Sequence, residues 1–319
     1  MSEHELPSSA RLLLEAGTLC HLAVDTARGP HLTPVVFALD GGCVWVTTSR
    51  RSVKSHAFRR DPRVAGLVRV AGAAVTFRGR VRAYDALDPL SWAPAVLGAP
   101  ALVSAGARFT VKNARFFAGY AVDARRVPFA WTPPGRVFVA IDLEAGRVLD
   151  VRSGRELAAW GAWDGRPAFR SGFEPLPRAR AIERRVPEDV REAIGNAGDG
   201  TLALRAAGRD AGLAVLPVAW TRHPATGSFE ARLPEVTLRL AGARGTAPAA
   251  LEVDRASWWR ASRMKGLMVQ GMAEVFSPRT ARRGRDALGR RVEEGEALVR
   301  LVPDRAVWWD GWASGTVRR

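Results

Sequence analysis

The sequence contains an internal repeat, and a duplicated unit constrains the fold more strongly than any single motif does. Three short matches in the same order define the two copies, and the separation between copies grows slightly along the chain, as small hairpin insertions would cause. The matched segments are 17–19 with 200–202 (Gly-Thr-Leu in both), Pro34 with Pro217, and 75–79 with 267–271. The repeat predicts two similar units in tandem.

Within each unit, runs rich in β-branched and apolar residues are separated by short turn segments containing glycine or proline, which is the pattern of antiparallel strands. The predicted strands are 19–24, 31–39, 43–47, 63–70, 74–84 and 136–143 in the first copy, with 297–302 and 306–309 ending the second. Helical spacing occurs at 51–60 and before each copy's first strand. The predicted fold class is therefore mainly β with helices (α+β).

The repeat boundaries define the predicted domains. Residues 1–150 form repeat one, which carries a helical insertion at 86–131 that repeat two lacks. Residues 151–180, rich in Gly, Pro and Arg, form the predicted linker. Residues 181–319 form repeat two, whose later segments have diverged from the first copy.

The formal net charge of +16 favours anionic ligands. Lysine occurs only at Lys54, Lys112 and Lys265, so arginine supplies nearly all of the positive charge, and the excess is spread over both halves. Because no run resembles a basic arm, the sequence disfavours specific nucleic-acid binding. No apolar run reaches the length of a membrane span and no signal segment is visible, so a cytoplasmic protein is expected.

Cysteine and histidine are sparse and lack the spacing of metal ligands, so the sequence predicts neither a disulfide framework nor a metal site. No Ser/His/Asp series, paired-carboxylate motif, phosphate-binding loop or GxGxxG occurs either. Hydrolysis and nucleotide-triphosphate chemistry therefore have no support, and the sequence identifies no catalytic residue.

A polar segment at 47–54 follows the third predicted strand and leads into a helix. It offers hydroxyl groups and positive charge beside the unpaired N–H groups of a helix start, a combination that binds phosphate. The alternative is an ordinary solvated capping turn. In the matching stretch of repeat two, Leu238 and Leu240 replace the polar residues, so we expect that copy to have lost its phosphate chemistry.

Several motifs of repeat one together resemble the FMN-binding split-barrel superfamily, which includes pyridoxamine-phosphate oxidases and deazaflavin-dependent reductases. They are Gly-Pro-His at 29–31, Pro-Val at 34–35, Val-Trp-Val-Thr-Thr at 44–48, Ser-x-Lys at 52–54 and Arg-Asp-Pro-Arg-Val at 60–64. The oxidases' Arg-x-Val-Glu-Gly run appears here only as Val-Thr-Phe-Arg-Gly at 75–79. True pyridoxamine-phosphate oxidation is therefore disfavoured.

The resemblance implies barrels that pair and bind cofactor between them, so a fused tandem forms an intramolecular pseudo-dimer with one surviving site. The chain itself is expected to be a monomer or a weak homodimer. The implied cofactor-binding residues are Pro34, Val35, Val36, Thr47, Thr48, Ser49, Arg50, Ser52 and Lys54. Candidates for a substrate pocket or the opposite wall are Lys112, Tyr120, Trp131, Trp258, Trp259, Arg263 and Lys265.

The leading functional hypothesis is a flavin-dependent oxidoreductase, with FMN or a deazaflavin exchanging hydride with a small conjugated or heteroaromatic substrate. A second hypothesis is a haem-binding or flavin-binding module without redox turnover. Its candidate axial ligands are His21, His31, His56 and His223. The third is a regulator that binds anions or nucleic acid through its arginines.

Overall fold

The computed structural model describes residues 6–85, 87–88, 98–122, 135–163, 182–206, 212–223, 226–243, 245–255, 261–276 and 292–318. Repeat one contains α1 (Ser8–Ala16), β1 (Leu19–Thr26), β2 (Gly29–Asp40), β3 (Cys43–Ser49), α2 (Val53–Arg60), β4 (Arg63–Val70), β5 (Ala73–Tyr84), α3 (Ala99–Lys112), α4 (Ala114–Val122), β6 (Arg136–Asp150) and β7 (Glu156–Trp160). Repeat two contains a 3-10 turn (Ile182–Arg185), α5 (Glu188–Ile194), β8 (Ala197–Arg205), β9 (Leu213–Arg222), β10 (Phe229–Pro234), α6 (Glu235–Leu238), 3-10 turns at Arg239–Ala241 and Ala261–Arg263, β11 (Thr246–Arg255), β12 (Lys265–Phe276), β13 (Glu296–Asp310) and β14 (Ala313–Arg318).

Each repeat folds into a closed six-stranded barrel, and the two barrels have the same strand order. In repeat one the order is β3-β2-β1-β4-β5-β6, and pairing of β3 with β6 closes the barrel. In repeat two the order is β10-β9-β8-β11-β12-β13, closed by β10 with β13. The predicted fold class, mainly β with helices in two tandem split barrels, is confirmed.

The last barrel strand of each repeat is longer than predicted. Both β6 and β13 run for 15 residues and continue through a β-bulge, so the separate runs 297–302 and 306–309 form one strand. One extra strand, β7, then pairs with β6 inside the stretch 151–180 that the sequence presented as a linker. The first sheet therefore extends past the predicted domain boundary.

The bulge occurs at the same place in both barrels. The extra residue is Glu144 of β6, opposite Arg78 and Gly79 of β5, and Asp304 of β13, opposite Gln270 and Gly271 of β12. A side chain at either glycine would overlap the backbone carbonyl of the neighbouring strand, at Asp142 or Val302. The glycine that ends both matched segments, 75–79 and 267–271, is thus required by close backbone approach.

The structure aligns the first strands of the two repeats, β1 and β8, differently from the sequence match of 17–19 with 200–202. Pro34 pairs with His21, whereas its counterpart Pro217 pairs with Thr201. His21 therefore corresponds to Thr201, and the match of the triplets 17–19 and 200–202 is wrong by three residues. The extra residues lie in the β8–β9 connection, which is longer than the tight β1–β2 turn.

The two barrels pack through the outer faces of their sheets. An apolar cluster at the contact takes five buried residues from each repeat, namely Ala23, Leu32, Ala65, Leu67 and Ala74 with Ala203, Leu213, Val215, Ala250 and Met268. It is separate from the two cores inside the barrels. Burial of this apolar surface supplies the main attraction between the repeats.

Hydrogen bonds across this contact occur in reciprocal pairs. Arg78 Nε donates to the carbonyl of Leu213 at 2.8 Å, and the corresponding Gln270 Nε2 donates to the carbonyl of Pro30, also at 2.8 Å. Such exchange of equivalent contacts is the signature of a two-fold interface. The barrels thus form the intramolecular pseudo-dimer that the family resemblance implied.

A second reciprocal pair lies beside the first. The Thr76 hydroxyl donates to the Val215 carbonyl at 2.6 Å, while the Leu32 N–H contacts Sδ of the corresponding Met268 at 3.1 Å. All four residues are buried. The pseudo-symmetry therefore extends from backbone topology to individual contacts.

The insertion helices of repeat one pack on the outer face of β3 and β6 through aromatic rings. The ring centroid of Trp45 lies 4.9 Å from that of Phe138, and Phe138 is in turn 5.7 Å from Phe109 of α3. An ion pair between Arg108 and Asp40, at 2.9 Å, adds to this contact. None of the helices in the described part of the chain is long and apolar enough to cross a membrane.

Replacing Gly271 by alanine should lower the free energy of unfolding by about 1–3 kcal/mol, because the added methyl group displaces the β13 backbone. The matched control is Gly106→Ala in α3, where a methyl group meets open space. That change should be neutral or stabilise by up to about 1 kcal/mol. Urea denaturation of both variants measures the two changes in unfolding free energy. Equal changes would contradict the close backbone approach at Gly271.

Candidate functional site

Strand β2 has an open stretch that faces the space between the repeats. Residues 33–36 are half-buried, whereas the residues before and after them in the same strand are buried. Pro34, Val35 and Val36, expected to contact a cofactor, all lie in this stretch. Val35 packs against the core of the first barrel, whereas Pro34 and Val36 lie on the opposite face of β2, the face on which Leu32 contacts repeat two. That apolar face is the part of the stretch available to a ligand.

The polar segment 47–54 forms a compact corner between β3 and α2, called the phosphate corner below. Ser52 caps α2, its hydroxyl oxygen accepting from the Ser55 N–H at 3.1 Å. The hydroxyls of Thr48 and Ser52 are 2.9 Å apart, and the Ser55 hydroxyl donates to the Ser49 carbonyl at 2.7 Å. These bonds hold the corner in one conformation, unlike a loose solvated turn.

Lys54 is the most unusual group of the corner. Its side chain points inward, only 8% of the residue is exposed, and its Nζ donates to the Thr33 hydroxyl. No carboxylate of the described residues forms an ion pair with it. Burial, together with the charge of Arg136, lowers the pKa of Lys54 to about 8. A buried ammonium group without a counter-ion costs several kcal/mol, so this arrangement favours an anionic ligand.

Arg50, unlike Lys54, has a carboxylate partner. Its guanidinium pairs with the buried carboxylate of Asp85, which Arg59 also approaches at 3.6 Å. The charge of Arg50 is thus compensated within the protein. Of the cations predicted for this corner, Lys54 is the one whose charge is both buried and without a carboxylate partner among the described residues.

Two further groups, which sequence reasoning did not assign to the cofactor site, come close to Lys54, and a third lies near one of them. Arg136, the first residue of β6, donates to the Thr47 hydroxyl at 2.6 Å and to the Thr47 carbonyl at 2.8 Å. His31 is buried, and its Nδ1 has no hydrogen-bond partner in the described part of the chain. Arg305 of repeat two is near enough for its charge to act on His31.

His31 is neutral in this environment. Burial first, and then the charges of Lys54 and Arg305, lower its pKa to about 3. A neutral imidazole with a free ring nitrogen can donate to or accept from a ligand without adding charge. Both repeats therefore contribute to one cation-rich region beside the open stretch of β2.

Lys112 lies beyond the other end of the open stretch. Its Nζ donates to the Leu14 carbonyl at 2.8 Å and lies 3.7 Å from the centroid of the Phe37 ring. Burial lowers its pKa to about 8. The neighbouring Asn113 donates to the Phe37 carbonyl at 3.2 Å. Lys112 thus ties the insertion to α1 and β2.

The other candidate wall residues are placed as follows. Arg263 lies in a turn that contacts α4 of the insertion. Lys265 pairs with Asp189 at 2.5 Å and Asp310 at 3.2 Å, both in repeat two. The Tyr120 side chain, Trp131, Trp258 and Trp259 lie outside the described residues.

The equivalent region of repeat two, residues 233–240, is called the second corner. Leu238 is fully buried in the barrel core and Leu240 packs against that core. A cleft of about 360 Å³ beside it is lined by four glutamates together with Arg152 and Arg239; the glutamates are Glu235, Glu293, Glu294 and Glu296. Apolar packing and acidic lining do not suit a phosphate.

The histidines considered as haem ligands have varied surroundings. His21 contacts Glu252 at 2.5 Å, His56 is exposed, and His223 Nδ1 accepts from the Thr226 N–H at 3.3 Å. Of these four, His31 is the one that is buried beside the phosphate corner, whereas His56 lies on α2 two residues after Lys54.

Comparisons with known proteins agree with this architecture. Residues 8–97 match the family model described as pyridoxamine 5'-phosphate oxidase, which spans β1 to β5 and the phosphate corner. The match confirms the resemblance predicted from the motifs of repeat one. The comparison with curated proteins found no match.

Solved structures similar to one repeat include general stress protein 26 from Bacillus anthracis (13% identity, TM-score 0.31, 46% of this chain and 94% of that chain). A putative pyridoxamine 5'-phosphate oxidase from Listeria innocua has 17% identity and a TM-score of 0.30, covering 46% and 99% of the two chains. A pyridoxamine 5'-phosphate oxidase-related, FMN-binding protein from Nostoc punctiforme has 17% identity and a TM-score of 0.32, covering 44% and 78%.

Replacing Lys54 by methionine should stabilise the ligand-free protein at pH 7. Since the pKa of Lys54 falls from 10.5 to about 8 on folding, charging it costs about 3 kcal/mol below pH 8. That cost disappears as the pH rises from 8 to 10.5, because the unfolded chain then also loses the proton. The expected gain in unfolding free energy is therefore about 1–3 kcal/mol at pH 7 and shrinks towards pH 10.

Urea denaturation at several pH values measures this effect. The control is Arg51→Met, which removes an exposed positive charge from the same segment and should change stability by less than about 0.5 kcal/mol. A loss of stability in Lys54→Met at pH 7 would mean that the ammonium group is already compensated, which the anion-site interpretation excludes.

Proposed function

We propose that this chain, whose residues 8–97 resemble the pyridoxamine 5'-phosphate oxidase family, binds one FMN and exchanges hydride between it and a small conjugated or heteroaromatic substrate. The observation that carries the proposal is the buried ammonium group of Lys54, which lacks a carboxylate partner in the described structure and lies beside an open β-strand between two barrels. FMN combines the two features that such a site needs, a terminal phosphate and a flat aromatic ring.

Lys54 and the phosphate corner would hold the phosphate. A phosphate dianion would offset the charges of Lys54 and Arg136, which the described structure leaves close together. The hydroxyls of Thr48 and Ser52, along with the start of α2, supply further donors. Because the corner is already hydrogen-bonded into one shape, little conformational entropy would be lost on binding.

The ring would lie against the open stretch 33–36 of β2. Arg305 brings positive charge from repeat two to the same region, and a cation near a flavin favours its reduced, anionic form. Neutral His31 offers a ring nitrogen for hydrogen bonding. The flavin supplies the hydride chemistry when it is bound, while the protein binds and orients it and tunes its electrostatics. An obligatory catalytic acid or base is not required.

One flavin per chain follows from the difference between the two corners. The second corner has Leu238 in the barrel core and glutamates around its cleft, so a phosphate there would meet repulsion and no buried lysine. A deazaflavin coenzyme also carries phosphate on its side chain and would use the same corner. The visible spectrum of the cofactor released from purified protein separates the two, since flavin has two bands and deazaflavin one.

Lys54→Met should weaken FMN binding by roughly 10- to 100-fold, the usual effect of losing a hydrogen bond to a charged partner. The matched control is Arg239→Met, which removes an exposed cation of the second corner and should leave the affinity for FMN unchanged. Fluorescence titration of the ligand-free protein measures both affinity and stoichiometry. Two equivalent sites, or equal affinity in Lys54→Met and the wild type, would contradict the proposal.

The pH dependence of FMN binding gives an independent test. Because the pKa of Lys54 in the ligand-free protein is about 8, affinity for a phosphate should fall as the pH rises above 8 and the ammonium group is lost. Lys54→Arg should retain its affinity up to pH 10, since arginine stays protonated. A flat pH profile for the wild-type protein between pH 7 and 10 would show that Lys54 does not contact the phosphate.

A further inference from the structure

A second group of ionisable side chains lies where the two barrels meet, apart from the phosphate corner. This interface cluster consists of His21 on β1 of repeat one and Glu252 and Asp254 on β11 of repeat two. One ligand atom from each of these residues lies within 4.8 Å of the other two. His21 Nδ1 and Glu252 Oε2 are 2.5 Å apart.

Two carboxylate oxygens in this cluster lack partners. Glu252 is completely buried, and its Oε1 has no hydrogen-bond partner among the described residues; the same is true of buried Oδ2 of Asp254. A buried carboxylate oxygen without a donor is costly, and proteins rarely leave one unsatisfied. The cluster therefore needs a cation or a donor that its own side chains do not provide.

The surrounding charges favour a dication. Arg69 is the guanidinium beside the cluster; its Nη2 donates to the Thr201 hydroxyl at 3.3 Å, and the charges of Glu252, Asp254 and Asp199 act on it. Metal binding would displace the proton of His21. The two carboxylates of Glu252 and Asp254 would then balance the charge of a divalent ion, which is the state that a buried site prefers.

We propose that His21, Glu252 and Asp254 bind one divalent transition-metal ion, zinc first, which links β1 of repeat one to β11 of repeat two. One imidazole nitrogen and two carboxylate oxygens form a common zinc donor set, with water as a fourth ligand. Tetrahedral zinc places its donors roughly 3.4 Å apart. The ion would therefore replace the 2.5 Å hydrogen bond between His21 Nδ1 and Glu252 Oε2, and small rotations of the three side chains would complete the geometry. Asp254 is half-buried, which gives the ion a route from solvent.

The pseudo-symmetry does not repeat this site at the equivalent positions of the described structure. His21 corresponds to Thr201, and the strand registers match Glu252 with Leu67 and Asp254 with Arg69. Those three side chains do not make a metal site. The sequence predicted no metal because His21 is 231 residues from Glu252, and Glu252 with Asp254 alone do not make a metal-binding motif.

The test uses the full chain after treatment with a chelator. Zinc should bind at one equivalent in competition with a chromogenic chelator, and Co²⁺ should give the visible absorption of a four- or five-coordinate ion. Asp254→Asn and His21→Gln should each lower zinc affinity by about 100-fold or more, given that losing even an outer-sphere partner costs 10- to 100-fold. His56→Gln and Glu293→Gln, both at exposed positions, should bind zinc as the wild type does.

Thermal unfolding with and without zinc shows whether the ion links the repeats. Zinc should raise the Tm of the wild type and leave the Tm of Asp254→Asn unchanged. If His21→Gln fails to fold, Asp254→Asn and Glu252→Gln decide the matter, because both conserve side-chain size. Failure of the wild type to bind stoichiometric zinc, or wild-type affinity in Asp254→Asn, would overturn the proposal. Neither result depends on flavin binding.

Discussion

The contact between the outer faces of the two barrels is the constraint on which both candidate sites depend. The phosphate corner belongs to repeat one, but Arg305, whose charge reaches His31, comes from repeat two. The interface cluster likewise takes His21 from one barrel and its two carboxylates from the other. Since reciprocal hydrogen bonds fix how the sheets meet, they also fix which side chains converge. A first barrel separated from its partner would lack Arg305 near the phosphate corner and would lose the interface cluster.

Fusion of two units explains why the phosphate corner and the second corner differ so much. In a symmetric dimer of identical chains, each substitution appears at both sites, so a site cannot be lost on one side alone. In one continuous chain the copies vary independently. Leu238 buried in the core stabilises its barrel by about 1.5–3 kcal/mol. Lys54 instead carries a desolvation cost of similar size, which only an anionic ligand would offset.

The local parts of the fold and of the site were predictable, and the long-range parts were not. The strand pattern and the polar turn at 47–54 depend on residues that are close in sequence, and the tandem repeat is visible because each copy carries its own local pattern. Arg136 joins the phosphate corner only because barrel closure pairs it with Ser49, across a large insertion. The mismatch of the triplets at 17–19 and 200–202 comes from the longer β8–β9 connection, which strand pairing reveals and the sequence match did not. Because the slip is three residues, it also exchanges the inward and outward faces of the strand.

The β1–β2 hairpin brings the two candidate sites together. His21 of the interface cluster pairs across the strands with Pro34, which lies in the open stretch beside the phosphate corner. Cross-strand neighbours have Cβ atoms only about 5 Å apart, so a displacement of His21 shifts the wall on which a flat ligand would rest. The apolar contact that buries Leu32 holds this hairpin against repeat two. The positions of both sites therefore depend on the rigidity of a single hairpin between the barrels.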